Sequence, residues 1–246
     1  MFNFSFDKRF LYIIIGISIV LGIMSMSKLE IISLLLTLPG VIVAITFHEF
    51  AHAYAAYKLG DDTPRMQGRL NLNPTSHLDP VGFVLLIFAH VGWGKPVQIN
   101  PRNFDRKYSM SAGEAIVSVA GPAMNFILAI LFTVIYFAVY KMAPTFLATE
   151  IGFYVMLMIQ SAAVVNVGLG IFNLIPLPPL DGSKIFRNFM SYNVKEWLDR
   201  YEKYFYIAFL ILWITGLAGQ LISPIISWIT SGLFKLIGLL FGIPMV

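Results

Sequence analysis

Residues 31–58 read IISLLLTLPGVIVAITFHEFAHAYAAYK. The run is long enough to cross about 30 Å of hydrocarbon as a helix, which takes about 20 residues. Tyrosines and the terminal Lys58 aside, its ionisable side chains are His48, Glu49 and His52, grouped within one helical turn. Unpaired at bilayer depth, each would cost on the order of 2 kcal/mol or more, and such groups usually face a bundle interior and mark a functional site.

On a helix, His48 and His52 project from nearly the same face, about 6 Å apart along the axis. They can share one metal ion. Glu49 lies about 100° round from His48, close enough to accept a proton from a metal-held water, as the glutamate of an H-E-x-x-H motif does. A catalytic zinc needs a third protein ligand and an open fourth position. Candidates are His77, Asp79, His90, Glu114 and Asp181, with Asp181 favoured. It closes Phe172 to Gly182, Phe-Asn-Leu-Ile-Pro-Leu-Pro-Pro-Leu-Asp-Gly, where three prolines forbid regular helix. Irregular backbone near membrane depth is tolerated where it is buried in protein or lines a wet cavity, and a carboxylate at its end suits a cation. Capping of the segment from Ser183 is the structural alternative for Asp181.

Composition sets the class. Hydrophobic residues make up 58% of the 246 positions and charged residues 12%, against roughly 25% charged in soluble domains; the mean hydropathy is +0.77. The chain is read as an all-α polytopic membrane protein of about six transmembrane helices, at roughly 10–27, 31–58, 111–140, 151–177, 203–222 and 225–243. Phe10 to Met26 exceeds the usual hydrophobic core of a signal peptide and is read as a retained span. The apolar patch Val81 to Val91 is too short to span and reads as re-entrant or interfacial. No cysteine is present, so any metal must be held by nitrogen and oxygen.

The net charge of +4 resides in Lys and Arg of two loops, one between spans two and three and one between spans four and five. The positive-inside rule places both loops, and with six spans both termini, in the cytoplasm. That pattern argues against nucleic acid as a partner. His48 and His52 then lie about 9 to 15 Å along the helix from its cytoplasmic end, and Asp181 approaches from the same side. One domain, 1–246, is expected, with a catalytic core over about 31–182; oligomeric state is not legible.

Span three carries Gly121-Pro122-Ala123-Met124-Asn125. The proline kinks the helix, Gly121 permits close helix approach, and Asn125 presents an amide on the same face. That amide suits either a substrate backbone or oxyanion or an interhelical hydrogen bond. Asn166 and Asn173, on one face of span four, read as structural.

Together, His48-Glu49-Phe50-Ala51-His52, Gly121 to Asn125 and Asn173 to Gly182 resemble the signature of the site-2 proteases, intramembrane zinc metalloproteases. Gly68 to Pro74, His77 to Gly82 and Trp93 to Phe104 look like the segments preceding the third core span in compact members without PDZ or CBS domains. The resemblance runs from about Leu38 to Ile226. It implies one Zn2+ held by His48, His52 and Asp181, Glu49 as general base, Asn125 in contact with substrate or oxyanion, and hydrolysis of a peptide bond in a transmembrane substrate. It further implies membrane-associated β-structure between Gly60 and Met110, with Lys95 to Pro101 as an edge for an unwound substrate strand, and a prokaryotic plasma membrane; the loop charges put the active-site opening on its cytoplasmic side. A non-proteolytic divalent-cation transporter or binder would use the same ligands; a proline-rich break in span four alone argues against it, since transporters often repeat broken helices in both halves.

Overall fold

The computed structural model describes residues 26–243 apart from 90, 91 and 188, with isolated positions 16, 20, 22 and 24 before them. The expected first span, 10–27, lies essentially outside the described residues. Four described helices are long and apolar enough to cross a membrane: α1 (Lys28–Lys58), α5 (Met110–Met142), α7 (Glu150–Asn173) and α10 (Leu217–Leu240). Shorter helices join them: α2 (Thr63–Met66), α3 (Pro74–His77), α4 (Pro80–Ala89), α6 (Pro144–Leu147), α8 (Asp181–Arg187) and the longer α9 (Tyr192–Ile214).

Each long helix of the centre has a sequence-encoded start. Ser27 accepts from the Glu30 N–H while the Glu30 carboxylate accepts from the Ser27 N–H, a reciprocal capping box on α1. Ser109 and Thr149 accept from Ala112 and Gly152 at the starts of α5 and α7. Such caps satisfy otherwise orphaned first-turn donors. α1, α5 and α7 pack on one another as a three-helix centre, and α10 lies against α5 and α7. Phe137 of α5, Ala163 of α7 and Phe234 and Ile237 of α10 form the buried apolar cluster of that last contact. Outward faces remain apolar, with Leu35, Ile127, Ile151 and Leu221 exposed, as lipid contact requires.

Two expectations are corrected. No strand forms among the described residues between Gly60 and Met110: α2, α3, α4 and a 3-10 turn at Pro101–Asn103 occupy the insertion, with one antiparallel bridge between Leu78 and Gly94. Five prolines fall in this segment, each removing a ladder donor, and the extended stretch 92–100 is held by side chains instead. At the other end, the break expected between spans five and six near 223–224 falls at Gly216. Gly216 adopts a left-handed φ of 74°, which glycine permits without steric cost, whereas Pro224 is carried inside α10. Helices within membranes tolerate proline where neighbouring groups satisfy the freed carbonyl. By length and composition α9 is not among the spanning candidates; its first half, with Lys195, Glu196, Asp199 and Arg200, is too charged. The described residues therefore carry four candidate spans, and six are not established.

Asp61 anchors the insertion. Fully buried, its carboxylate accepts from Thr63 N and Oγ1, Asn100 N and Asn103 Nδ2, tying the end of α1 to the turn before α5. Burial alone would raise its pKa, but these bonds outweigh it and hold the group below the usual carboxylate range. A depressed folded pKa contributes stability above the unfolded value, lost as pH falls through the folded one. Asp61→Asn is expected to destabilise by about 1 to 3 kcal/mol at neutral pH. The gap between the two thermal unfolding midpoints should narrow from about pH 6 to about pH 3; a gap independent of pH would contradict the assignment.

Candidate metal centre

The α1 helix sets His48 and His52 one turn apart on its inward face, with Asn125 and Gly121 of α5 opposite. The imidazoles meet edge to face, ring centroids 4.6 Å apart. His48 Nδ1 lies 2.6 Å from Asn125 Oδ1, and His52 Nδ1 lies 2.7 Å from the Val117 carbonyl oxygen. Both partners can only accept, so both Nδ1 atoms donate. The orientation of the Asn125 amide is fixed in turn, because its Nδ2 donates to Ala44 O and Asn166 Oδ1. Each ring therefore presents an Nε2 lone pair on its other side.

Those lone pairs converge on Asp181. Its Oδ2 is 3.1 Å from His48 Nε2 and 3.0 Å from His52 Nε2, and the two Nε2 atoms are 3.0 Å apart. The chain delivers the carboxylate by leaving α7 at Asn173, turning through Pro176, Pro178 and Pro179, and starting α8 at Asp181 against α5. Two lone pairs and a carboxylate oxygen this close repel unless a proton or cation lies among them. Ligand atoms around a tetrahedral zinc at about 2 Å would sit about 3.3 Å apart, close to the observed triangle. A second observation fits: a Cβ on Gly121 would overlap the His52 ring and approach His48 Cε1 at 2.7 Å. The missing side chain leaves the imidazoles their room, and Pro122 beside it interrupts the helix ladder one residue after Val117.

The remaining candidates stand elsewhere. His77 is fully buried with Nε2 donating to Asn71 O at 2.7 Å. Asp79 Oδ1 accepts from the Gly82 N–H at the start of α4. Glu114, on the first turns of α5, does not join the cluster, and His90 lies outside the described residues. Among the described residues, the atoms gathered as a possible metal site are those of His48, His52 and Asp181. Glu49 is half-buried and faces the extended stretch after α4, where a Cβ on Gly94 would fall 2.9 Å from Glu49 Oε1 and 2.9 Å from Ile45 Cγ2. Asn125 is fully buried, with its oxygen on His48 and both amide hydrogens engaged.

Three supports escaped the reading of the sequence. The Val117 carbonyl carries no side-chain signature. Asn166, whose Nδ2 donates to Ala162 O, shows as a polar residue in an apolar helix, but its link through Asn125 to His48 does not. Gly94 shows only as a glycine in a loop.

Comparison with known proteins finds relatives named as zinc metalloproteases. A relative from Bacillus subtilis (strain 168), named "Putative zinc metalloprotease YwhC", is 40% identical over 204 residues, covering 81% of this chain and 90% of its own. The chain belongs to peptidase family M50, the site-2 protease family. The M50 family model itself matches residues 147–215, which include Asp181 and the proline-rich approach to it. "Putative zinc metalloprotease Rip2" of Mycolicibacterium smegmatis is 27% identical over 198 residues, 79% of this chain and 72% of that one. No solved structure matches the chain significantly. As an M50 member with four apolar helices of spanning length, the protein is an integral membrane metalloprotease.

Proposed function

We propose that this protein is an intramembrane endopeptidase that hydrolyses a peptide bond within or near a transmembrane helix of its substrates, with one zinc ion held by His48, His52 and Asp181. The observation that carries the reading is the convergence of two imidazole Nε2 atoms, their tautomers pinned from behind, on one carboxylate oxygen. Bound there, zinc supplies a Lewis acid that polarises a carbonyl and lowers the pKa of water. Glu49 takes the proton of the attacking water and returns it to the leaving amine. Asn125 holds His48 in the tautomer and orientation that ligation needs, an outer support of the kind metal-binding histidines commonly have.

The substrate approaches through apolar surface. A cavity of about 560 Å³ opens between α1, α7 and α10, lined by Val41, Ala44, Ile45, Gly168, Ile222 and Ile226 among others. Ala44 and Ile45 lie one turn before His48 and Glu49, so an apolar segment seated there ends beside the base. Separation of α10 from α1 would widen this entrance. The extended stretch Lys95 to Pro101 offers an edge for a substrate strand beyond the groups that Arg69, His77 and Asp61 already engage, since a helical peptide bond is shielded and an edge can hold it open. In this reading the active site opens to the cytoplasm of a prokaryotic plasma membrane, the membrane following from the family resemblance and the side from the Lys and Arg residues of the loops.

The test is metal removal in proteoliposomes carrying a transmembrane peptide. Chelation should abolish cleavage, falling below about 1% of the initial rate, and stoichiometric Zn2+ should restore it. Zinc flux across the liposome without cleavage would replace this reading with that of a transporter.

A further inference from the structure

Arg69 lies in the insertion with only 4% of its surface exposed, and among the described residues its side chain makes no ion pair within 4.0 Å. A buried guanidinium is costly unless its donors are used; here both terminal nitrogens donate to main chain, while Nε is buried with no hydrogen-bond partner among the described residues. NH1 donates to Pro96 O at 3.2 Å and NH2 to Lys95 O at 2.5 Å. The planar fork of arginine suits two neighbouring acceptors in a way a lysine ammonium does not. The Lys95 N–H in turn donates to His77 O at 2.7 Å, and Leu78 bridges Gly94.

The held segment is the one that touches Glu49. Gly94 sits where even a methyl group would lie 2.9 Å from Glu49 Oε1, so a shift of residues 94–96 changes what stands over the carboxylate. A misplacement of about 1 Å far from the chemistry can cost about 100-fold in rate. We infer that Arg69 is a positioning residue that clamps the Gly94 to Pro96 segment against Glu49, fixing the edge on which substrate is presented to the metal centre. The role in presentation rests on the proposed function; the clamp itself does not.

The experiment uses the full-length zinc-loaded protein, whose lack of cysteine makes introduced thiols unique. In Lys95→Cys carrying a nitroxide label, Arg69→Gln should convert an immobilised spectrum to a mobile one while zinc stays at about one per chain. Cleavage by Arg69→Gln should show kcat lower by about 100-fold, with Arg69→Lys intermediate. The exposed side chains of Gln67 and Gln98 meet at 2.9 Å, spanning the same two segments. A short thiol crosslink between Gln67→Cys and Gln98→Cys should restore most of the rate lost in Arg69→Gln, which a general loss of folding would not allow. An unchanged label spectrum, a rate within about twofold of the parent, loss of zinc with the rate, or failure of the crosslink to restore turnover would each overturn the clamp. Failure of the unmutated protein to cleave any membrane peptide would instead sink the proposed function, with the label still reporting on Arg69.

Discussion

Asp181→Ala is expected to lose the zinc and, with it, all measurable cleavage. Two imidazoles alone remain, and a catalytic zinc site needs three protein ligands. Asp181 Oδ2 is the atom within 3.1 Å of both Nε2 lone pairs and the one anionic member of the triangle. Removing an outer support of a metal ligand already costs about 10- to 100-fold in affinity, so removal of a ligand should cost more than about 100-fold. Metal analysis should fall from about one zinc per chain to near zero, and the rate to below about 1% of wild type. Because Asp181 sits at the end of a seven-residue helix outside the three-helix centre, helical content should stay unchanged. Retention of a full equivalent of zinc would remove Asp181 from the site and return the third ligand to Glu114, Asp79 or His77.

How much of this was legible depends on how local each feature is. His48, Glu49 and His52 lie on one helix, where spacing alone fixes their relative direction, so the sequence is enough to group them. Asp181 is 129 residues from His52, yet its place after three prolines marks it, because proline leaves a readable trace in backbone geometry. The second-sphere links carry no such trace. The Val117 carbonyl is backbone, and the relay from Asn166 through Asn125 to His48 depends on how three helices turn toward each other, which hydropathy does not encode. The insertion differs from what the resemblance implies. The β-structure expected there comes from the family resemblance and not from the residues, whose five prolines deny a ladder its donors; Arg69 and Asp61 supply from a distance hydrogen bonds that a ladder would have supplied locally. The boundary between α9 and α10 shows the limit of punctuation: Pro224 sits within a continuous helix, whereas Gly216, in its left-handed turn, ends one.

Glu49→Gln is the complementary case, expected to leave the metal and lose the chemistry. Glutamine keeps the length and shape of the side chain, so the close approach to Gly94 is preserved, and His48 and His52 keep their supports at Asn125 and Val117. A neutral amide has no basic oxygen for the proton of the attacking water. General acid–base catalysis contributes about 10² to 10⁴ in rate, and here one residue serves both proton transfers, so kcat should fall by about 10³ to 10⁴ while KM changes by no more than about twofold. Zinc content should remain at about one per chain. Glu49→Asp, one methylene shorter, should lie between the two, because the carboxylate is retained but drawn back from its position beside Gly94. The pair of results separates two roles that a single loss of activity would merge. If Glu49→Gln cleaved within about tenfold of wild type, the base would have to be sought elsewhere. If it lost zinc, the glutamate would be supporting the site and not acting on the water. A protein that only conducts or stores the ion predicts neither pattern, since transport through His48, His52 and Asp181 has no need of a base one residue away from the first ligand.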